Sequence, residues 1–290
     1  MSFLSKIKDK LGVGHQATPS DVPRPRLPTG NGLLLLGDDV RVEIEHWIRE
    51  AQPTLDVRAA AMDATPEWIA DAALAAKHAV MVIDVRNGVN PILREHVLIA
   101  RQAYMPWISI LLLETEQRQG DIAYGETPEE QIQLMKDLLD MYNMNGAHTP
   151  AFFLPIGVDG SIDMSDVMQL VSDHEGMKDR DTINADMMKL DPAVPTSRFR
   201  SEMYWLDSMQ WRHRDDVDGL DTRPGRTMDL WVMGKSVRAT LLDAETTTGG
   251  ENGWADWQLD REFDISAGEN MFIKMQGQVI AIGLVSEISG

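Results

Sequence analysis

The stretch REHVLIARQAYMP, Arg94 to Pro106, lies at the centre of a repeating pattern. Extended back to Asn90 it reads as one helix. Ile92, Val97, Leu98 and Ala103 fall on a side that would face a sheet, and Arg94, Glu95 and Arg101 fall on a polar side. Just before it, HAVMVIDV (78–85) is a continuous apolar run, as a strand buried on both faces requires. Just after it, WISILLLE (107–114) is another. Strand, helix, strand in this order predicts parallel pairing.

Working outward, the alternation continues. LLLLG (33–37) predicts a short buried strand, and Asp38 and Asp39 predict the cap of a helix through Trp47 and Ile48. TLDVRAAAM (54–62) is a strand candidate. TPEWIADAALAAK (65–77) predicts a helix with Thr65 as cap and Pro66 in its first turn. TPEEQIQLMKDLLDMYNM (127–144) carries a capping box in Thr127 and Glu130. TPAFFLPIG (149–157) predicts a strand and DMSDVMQLVSDHE (163–175) a last helix. The whole is an α/β unit, an open and mainly parallel sheet with helices on both faces. Near Gly176 the texture becomes polar. After Arg198 come six short alternating runs, RFRSEMYWLDS, TMDLWVMG, SVRATLLDA, WQLDREFDIS, NMFIKMQG and QVIAIGLVSEI, which predict a small antiparallel β-barrel. The expected organisation is an arm and linker at 1–32, an α/β domain at 33–175, a connection at 176–197 and a barrel at 198–290.

Composition narrows the function classes. The net charge is −19 over 290 residues. Lys6, Lys8, Lys10, Arg24 and Arg26 against Asp9 and Asp21 make the first 30 residues +3, which leaves −22 on the rest. Such a body repels phosphate backbones, so nucleic acid is a disfavoured partner. There is no cysteine, which removes disulfides and thiolate chemistry and fits a cytoplasmic setting. No apolar run is long enough for a transmembrane span, and the lysines in MSFLSKIKDKLGVG break any signal-peptide pattern. Phe3, Leu4, Ile7 and Leu11 in that segment sit at helical spacing among lysines, the pattern of a basic amphipathic helix. The seven histidines show no paired metal spacing, so no metal site is expected.

Arg94-Glu95-His96 followed by VLIARQAYMP is similar to the helix after the fourth sheet strand of elongation factor Tu, a translation GTPase. AVMVIDVRNGVNP (79–91) resembles that family's approach to the helix. RFRSEMYWL (198–206) and MFIKMQGQVIAIGLVSEI (271–288) resemble the opening strand and closing hairpin of its third domain, and Arg223-Pro224 falls at an Arg-Pro step. The resemblance implies a degenerate G domain joined directly to a third-domain-like barrel, with the second domain missing.

It also implies where nucleotide chemistry would lie, and each position departs from the pattern. A P-loop needs backbone donors, a Lys and a hydroxyl. Here Gly37 is followed by Asp38, Asp39 and Val40. The first-switch segment is reduced to Ala51-Gln52-Pro53-Thr54. The second-switch motif keeps Asp63, but Pro66 stands near its Gly, and Glu67 stands where its water-positioning His is expected; His96 is therefore not a catalytic histidine. The base-reading motif falls on Leu113, Glu114, Thr115 and Glu116. The expectation is no catalytic residue, no cofactor and no enzymatic activity. A pseudo-GTPase retained for its surface would bind a protein partner, most specifically as a decoy or immunity protein (an antitoxin) against a toxin that uses or modifies elongation factor Tu. The alternatives are a translation regulator that binds the exchange factor or aminoacyl-tRNA, and an enzyme with residual nucleotide binding. Candidate partner-binding residues are Arg94, Glu95, Arg101, Arg212, His213 and Arg223.

Overall fold

The computed structural model describes residues 30–114, 127–155, 164–179, 192–207 and 223–289. Glu116, Arg212 and His213 lie outside the described residues. Five strands form the first unit, β1 (Gly32–Gly37), β2 (Val57–Ala59), β3 (Ala76–Asp84), β4 (Trp107–Leu113) and β5 (Ala151–Leu154). All pair in parallel, in the order β2-β1-β3-β4-β5. β3 is buried along its whole length, which is why it reads as an unbroken apolar run. Helices α1 (Arg41–Ala51) and α5 (Ser165–Gly176) cover one face, where Ile44, Ile48, Val167 and Leu170 pack on Leu33, Leu35, Val80 and Val82. Helices α2 (Pro66–Leu74), α3 (Pro91–Gln102) and α4 (Pro128–Met141) cover the other, where Ile69, Val97, Leu98, Met135 and Leu139 pack on Leu34, Met81, Ile83 and Leu112.

Local chemistry starts these helices. Thr65 accepts from the Trp68 N–H at α2, with Pro66 next. Asn90 does the same for α3 through Leu93. The Thr127 and Glu130 capping box forms at α4 in both directions. Two expectations change. The predicted helix over 65–77 stops at Leu74, because Ala76 and Lys77 already belong to buried strand β3. Asp38 and Asp39 do not cap α1; Val40 holds that place without a side-chain bond, and Asp38 turns inward.

The second unit is a closed antiparallel barrel, β10-β11-β6-β9-β8-β7. Its strands are β6 (Val194–Trp205), β7 (Thr227–Val232), β8 (Lys235–Ala244), β9 (Asn252–Ile265), β10 (Asn270–Met275) and β11 (Gln278–Ser289). β6 begins at Val194, upstream of the expected Arg198, since Val194 and Pro195 pair with Ile265 and Asp264. Phe199, Met203, Trp205, Trp257 and Ile273 fill the interior. The outer face carries a second apolar set, Trp231, Met233, Phe272, Val279 and Ile282, which joins the cluster of α2 and α3. The two units therefore share one continuous core, and each fully buried large side chain there contributes about 1.5–3 kcal/mol. No helix among the described residues is long and apolar enough to cross a membrane.

Candidate functional site

In a doubly wound sheet of this order, ligands bind outside the carboxyl ends of the strands where the winding reverses, here between β1 and β3. The turn after β1 stands at that place. Gly37 has φ +102, and a Cβ on it would lie 2.1 Å from the Val82 carbonyl oxygen, so only glycine fits. The Gly37 N–H donates to His96 Nδ1 at 2.9 Å and the Asp38 N–H to the Val82 carbonyl at 2.9 Å. The N–H groups of Arg41 and Val42 donate back to the carbonyls of Asp38 and Asp39.

Side chains fill the rest of the crevice. Asp38 is buried; its Oδ2 accepts from the Asp84 N–H and its Oδ1 from Asn90 Nδ2, both at 2.7 Å. Burial pushes its pKa up to about 6, with a smaller push from the Asp84 charge, against the opposing pull of its hydrogen bonds. Asp84 is itself buried and paired with Arg86, whose Nε lies 3.0 Å from both carboxylate oxygens. The Arg41 guanidinium is buried and donates to the carbonyls of Gly37 and Ala60.

This arrangement does not fit a magnesium-bound nucleoside triphosphate. Phosphate oxygens need free backbone donors and a cation at the turn. Four N–H groups of the turn are already engaged, no lysine or hydroxyl follows Gly37, and the buried Asp38 carboxylate brings negative charge next to the turn. The base-reading side fits no better. Leu113 is buried in the core beneath α1 and α5, and the Glu114 N–H donates to the Leu154 carbonyl.

Asp63 is exposed. Glu67 forms an ion pair with Lys274 of β10.

No known protein-family model matches the sequence. Among solved structures, the chain is similar to translation elongation factor SelB from Methanococcus maripaludis. To its apo form the TM-score is 0.53 at 11% identity, over 91% of this chain and 81% of that one. To its complex with the GTP analogue GppNHp the TM-score is 0.54 at 12% identity, over 91% and 80%. The chain shares the overall fold of that protein. Within that fold, sheet and barrel occupy the places of a G domain and a following barrel.

In this fold the polar side of α3 is not open. Glu95 is buried, and its Oε1 accepts from the Val279 N–H of the barrel at 2.8 Å. Arg94 is half-buried. Arg101 is half-buried and its Nε donates to the Tyr142 carbonyl at 3.0 Å. Arg223 is exposed in the turn before β7. The partner-binding candidates thus do not gather into one patch among the described residues. Sequence reasoning missed the contact that replaces them. Gln102 Nε2 donates to the carbonyls of Met271 at 2.6 Å and Gly283 at 3.0 Å. Tyr104 donates to the Gly268 carbonyl and Trp231 Nε1 to Asp71, each at 3.0 Å. The available signal was polar residues at i and i+7 on an apolar helix, Glu95 and Gln102, a pairing that marks a second buried face.

Proposed function

We propose that this protein is a non-enzymatic, elongation-factor-like binding protein. What carries the reading is the turn after β1. The N–H groups of Gly37 and Asp38 are engaged internally, no lysine or hydroxyl follows Gly37, and Asp38, Asp84 and Asn90 are joined by hydrogen bonds beside it. A fold kept while its nucleotide contacts are replaced implies that the exterior is what selection retained. In its most specific form, the protein is a decoy or immunity protein. It presents an elongation factor Tu-like outline to a toxin that uses or modifies that factor, without offering the P-loop or first switch as a target.

Two measurements test this. Titration calorimetry with GTP, GDP and ATP plus magnesium is expected to give no heat of binding. Micromolar binding of any of them would overturn the reading. Cross-linked co-purification from the native host is expected to recover one toxin with the chain. Recovery of neither a toxin nor a translation-associated protein would remove the decoy form.

A further inference from the structure

The amino end of the sheet holds a cluster of titratable groups that the proposed binding role leaves unused. Gly32 pairs with Ala76 and Leu33 with His78, so Lys77 is an extra residue on β3. The bulge brings two consecutive side chains to the end of α5. Lys77 Nζ donates to the Met177 carbonyl just past that helix, at 3.2 Å. The His78 ring stacks on His174 in the last turn, with centroids 5.6 Å apart and planes 16° apart. His174 is also the last member of the stripe Val167, Leu170, Val171 and His174 that buries α5. Both rings are buried, and each has one bonded nitrogen. His78 Nε2 lies 2.9 Å from Ser109 Oγ of β4, and His174 hydrogen-bonds the Asn31 backbone ahead of β1. The Nδ1 atoms of both rings are buried without a partner.

This arrangement accepts neutral rings only. A protonated imidazole carries an N–H at both nitrogens and needs an acceptor at each, and here Nδ1 meets none. The surrounding charges do not help. Lys77 acts on both rings and His174 on His78, each opposing protonation. β1 and β5 contribute no titratable group. On α5, Asp173 accepts from Gln169 Nε2, Asp166 accepts from the Phe153 N–H, and Glu175 is exposed. On α1, Glu45 is paired with Arg49. Past the helix Lys178 is exposed, and Asp179 lies 3.9 Å from Lys77 Nζ with its side chain 62% exposed. We infer that the His78–His174 pair is a proton-operated latch, which holds the end of α5 on the sheet while both rings are neutral and lets it open when they are protonated. Opening gives the rings water and their ordinary proton affinity near pH 6.5, so acid favours the open form. At pH 5 each wetted ring raises its population roughly 30-fold. The latch is independent of whether the protein captures a partner.

Native-state amide exchange of the full chain, followed by NMR at pH 7.5 and pH 5, tests the latch. Protection factors, which remove the intrinsic pH dependence of exchange, are expected to fall roughly 30-fold to 1,000-fold for residues 170–176 at pH 5. Exchange there is also expected to be insensitive to low urea, as a small local opening is, while amides of β10 and β11 in the barrel accelerate with urea. Unchanged protection at 170–176 would overturn the inference. So would exchange at 170–176 that rises with urea in step with the barrel, since that is whole-molecule unfolding. Changing His78→Gln and His174→Gln together is expected to remove most of the fall; a folded double variant that keeps it sinks the latch. If the double variant does not fold, the ring signals of the parent decide. Both histidines are expected to titrate together with the loss of protection at 170–176. Rings that become protonated while those amides stay protected would rule the latch out.

Discussion

Asp38 combines a buried carboxylate with two short hydrogen bonds, and its pKa of about 6 sets a pH dependence. Its folded pKa lies above the unfolded value, so the folded state takes up a proton more readily. The stability it contributes is fully present below the unfolded pKa near 4 and is lost as pH rises through about 6. At neutral pH the charged form costs the fold on the order of 3 kcal/mol. Asp38→Asn is expected to flatten the urea midpoint between pH 4 and 6 relative to the parent. An unchanged slope would mean that Asp38 titrates normally.

His78 and His174 act with the opposite sign. Their rings stack 5.6 Å apart between β3 and α5, and His78 Nε2 lies 2.9 Å from Ser109 Oγ. Burial holds their pKa values down to about 3 and about 4; His174 and Lys77 lower His78 further, and Lys77 lowers His174 further against a raising backbone hydrogen bond at Asn31. Both are below the unfolded value near 6.5. They therefore withdraw stability as pH falls below about 6.5, down to their folded values. At pH 5 the effect is on the order of 1–2 kcal/mol per histidine. His174→Gln is expected to lose less of its urea midpoint than the parent between pH 7 and 5. Gly37 is the other decisive residue. Gly37→Ala meets both the positive φ and the Val82 carbonyl, and is expected to destabilise by roughly 2–4 kcal/mol in chemical denaturation.

Among elements, the helix starts were the most legible. Thr65, Pro66, Thr127 and Glu130 are local signals that act within one turn, so tertiary context leaves them intact. Thr127→Ala is expected to cost about 1 kcal/mol, because it removes the acceptor for the Glu130 N–H. Circular dichroism melts would register it as a small fall in Tm. The start of α1 was misread for a physical reason. Aspartates after a strand look like caps, but Asp38 finds stronger partners 46 and 52 residues away than its own helix offers. The end of α2 was overrun for a related reason. Alanines are good helix formers, yet pairing with β1 takes Ala76 into the sheet.

At the scale of the whole molecule, the joint between sheet and barrel dominates. Trp231 stacks on Phe272, with centroids 5.1 Å apart, inside the core shared with α2 and α3. Glu95, Gln102 and Asp71 supply hydrogen bonds across it. One cooperative calorimetric transition is expected for the parent chain. Trp231→Ala is expected to remove about 3–5 kcal/mol and to separate the unfolding of the barrel from that of the sheet. A single transition retained at that cost would mean that the units are coupled elsewhere.

The sequence by itself determined the element types, the parallel character of the buried strands and the barrel strands, because periodicity is a local property. REHVLIARQAYMP declared its helix and, in Val97, Leu98 and Ala103, its apolar side in the same way, whereas Ile92 lies outside the buried cluster and Leu93 takes its place. Only the tertiary structure decided what its polar residues do. Glu95 and Gln102 meet the barrel 184 and 169 residues further along the chain, and His96 takes the Gly37 N–H. Contacts at such separations leave no trace in local spacing. A buried carboxylate beside a barrel strand and an exposed one in water are the same letter until the chain has closed around it.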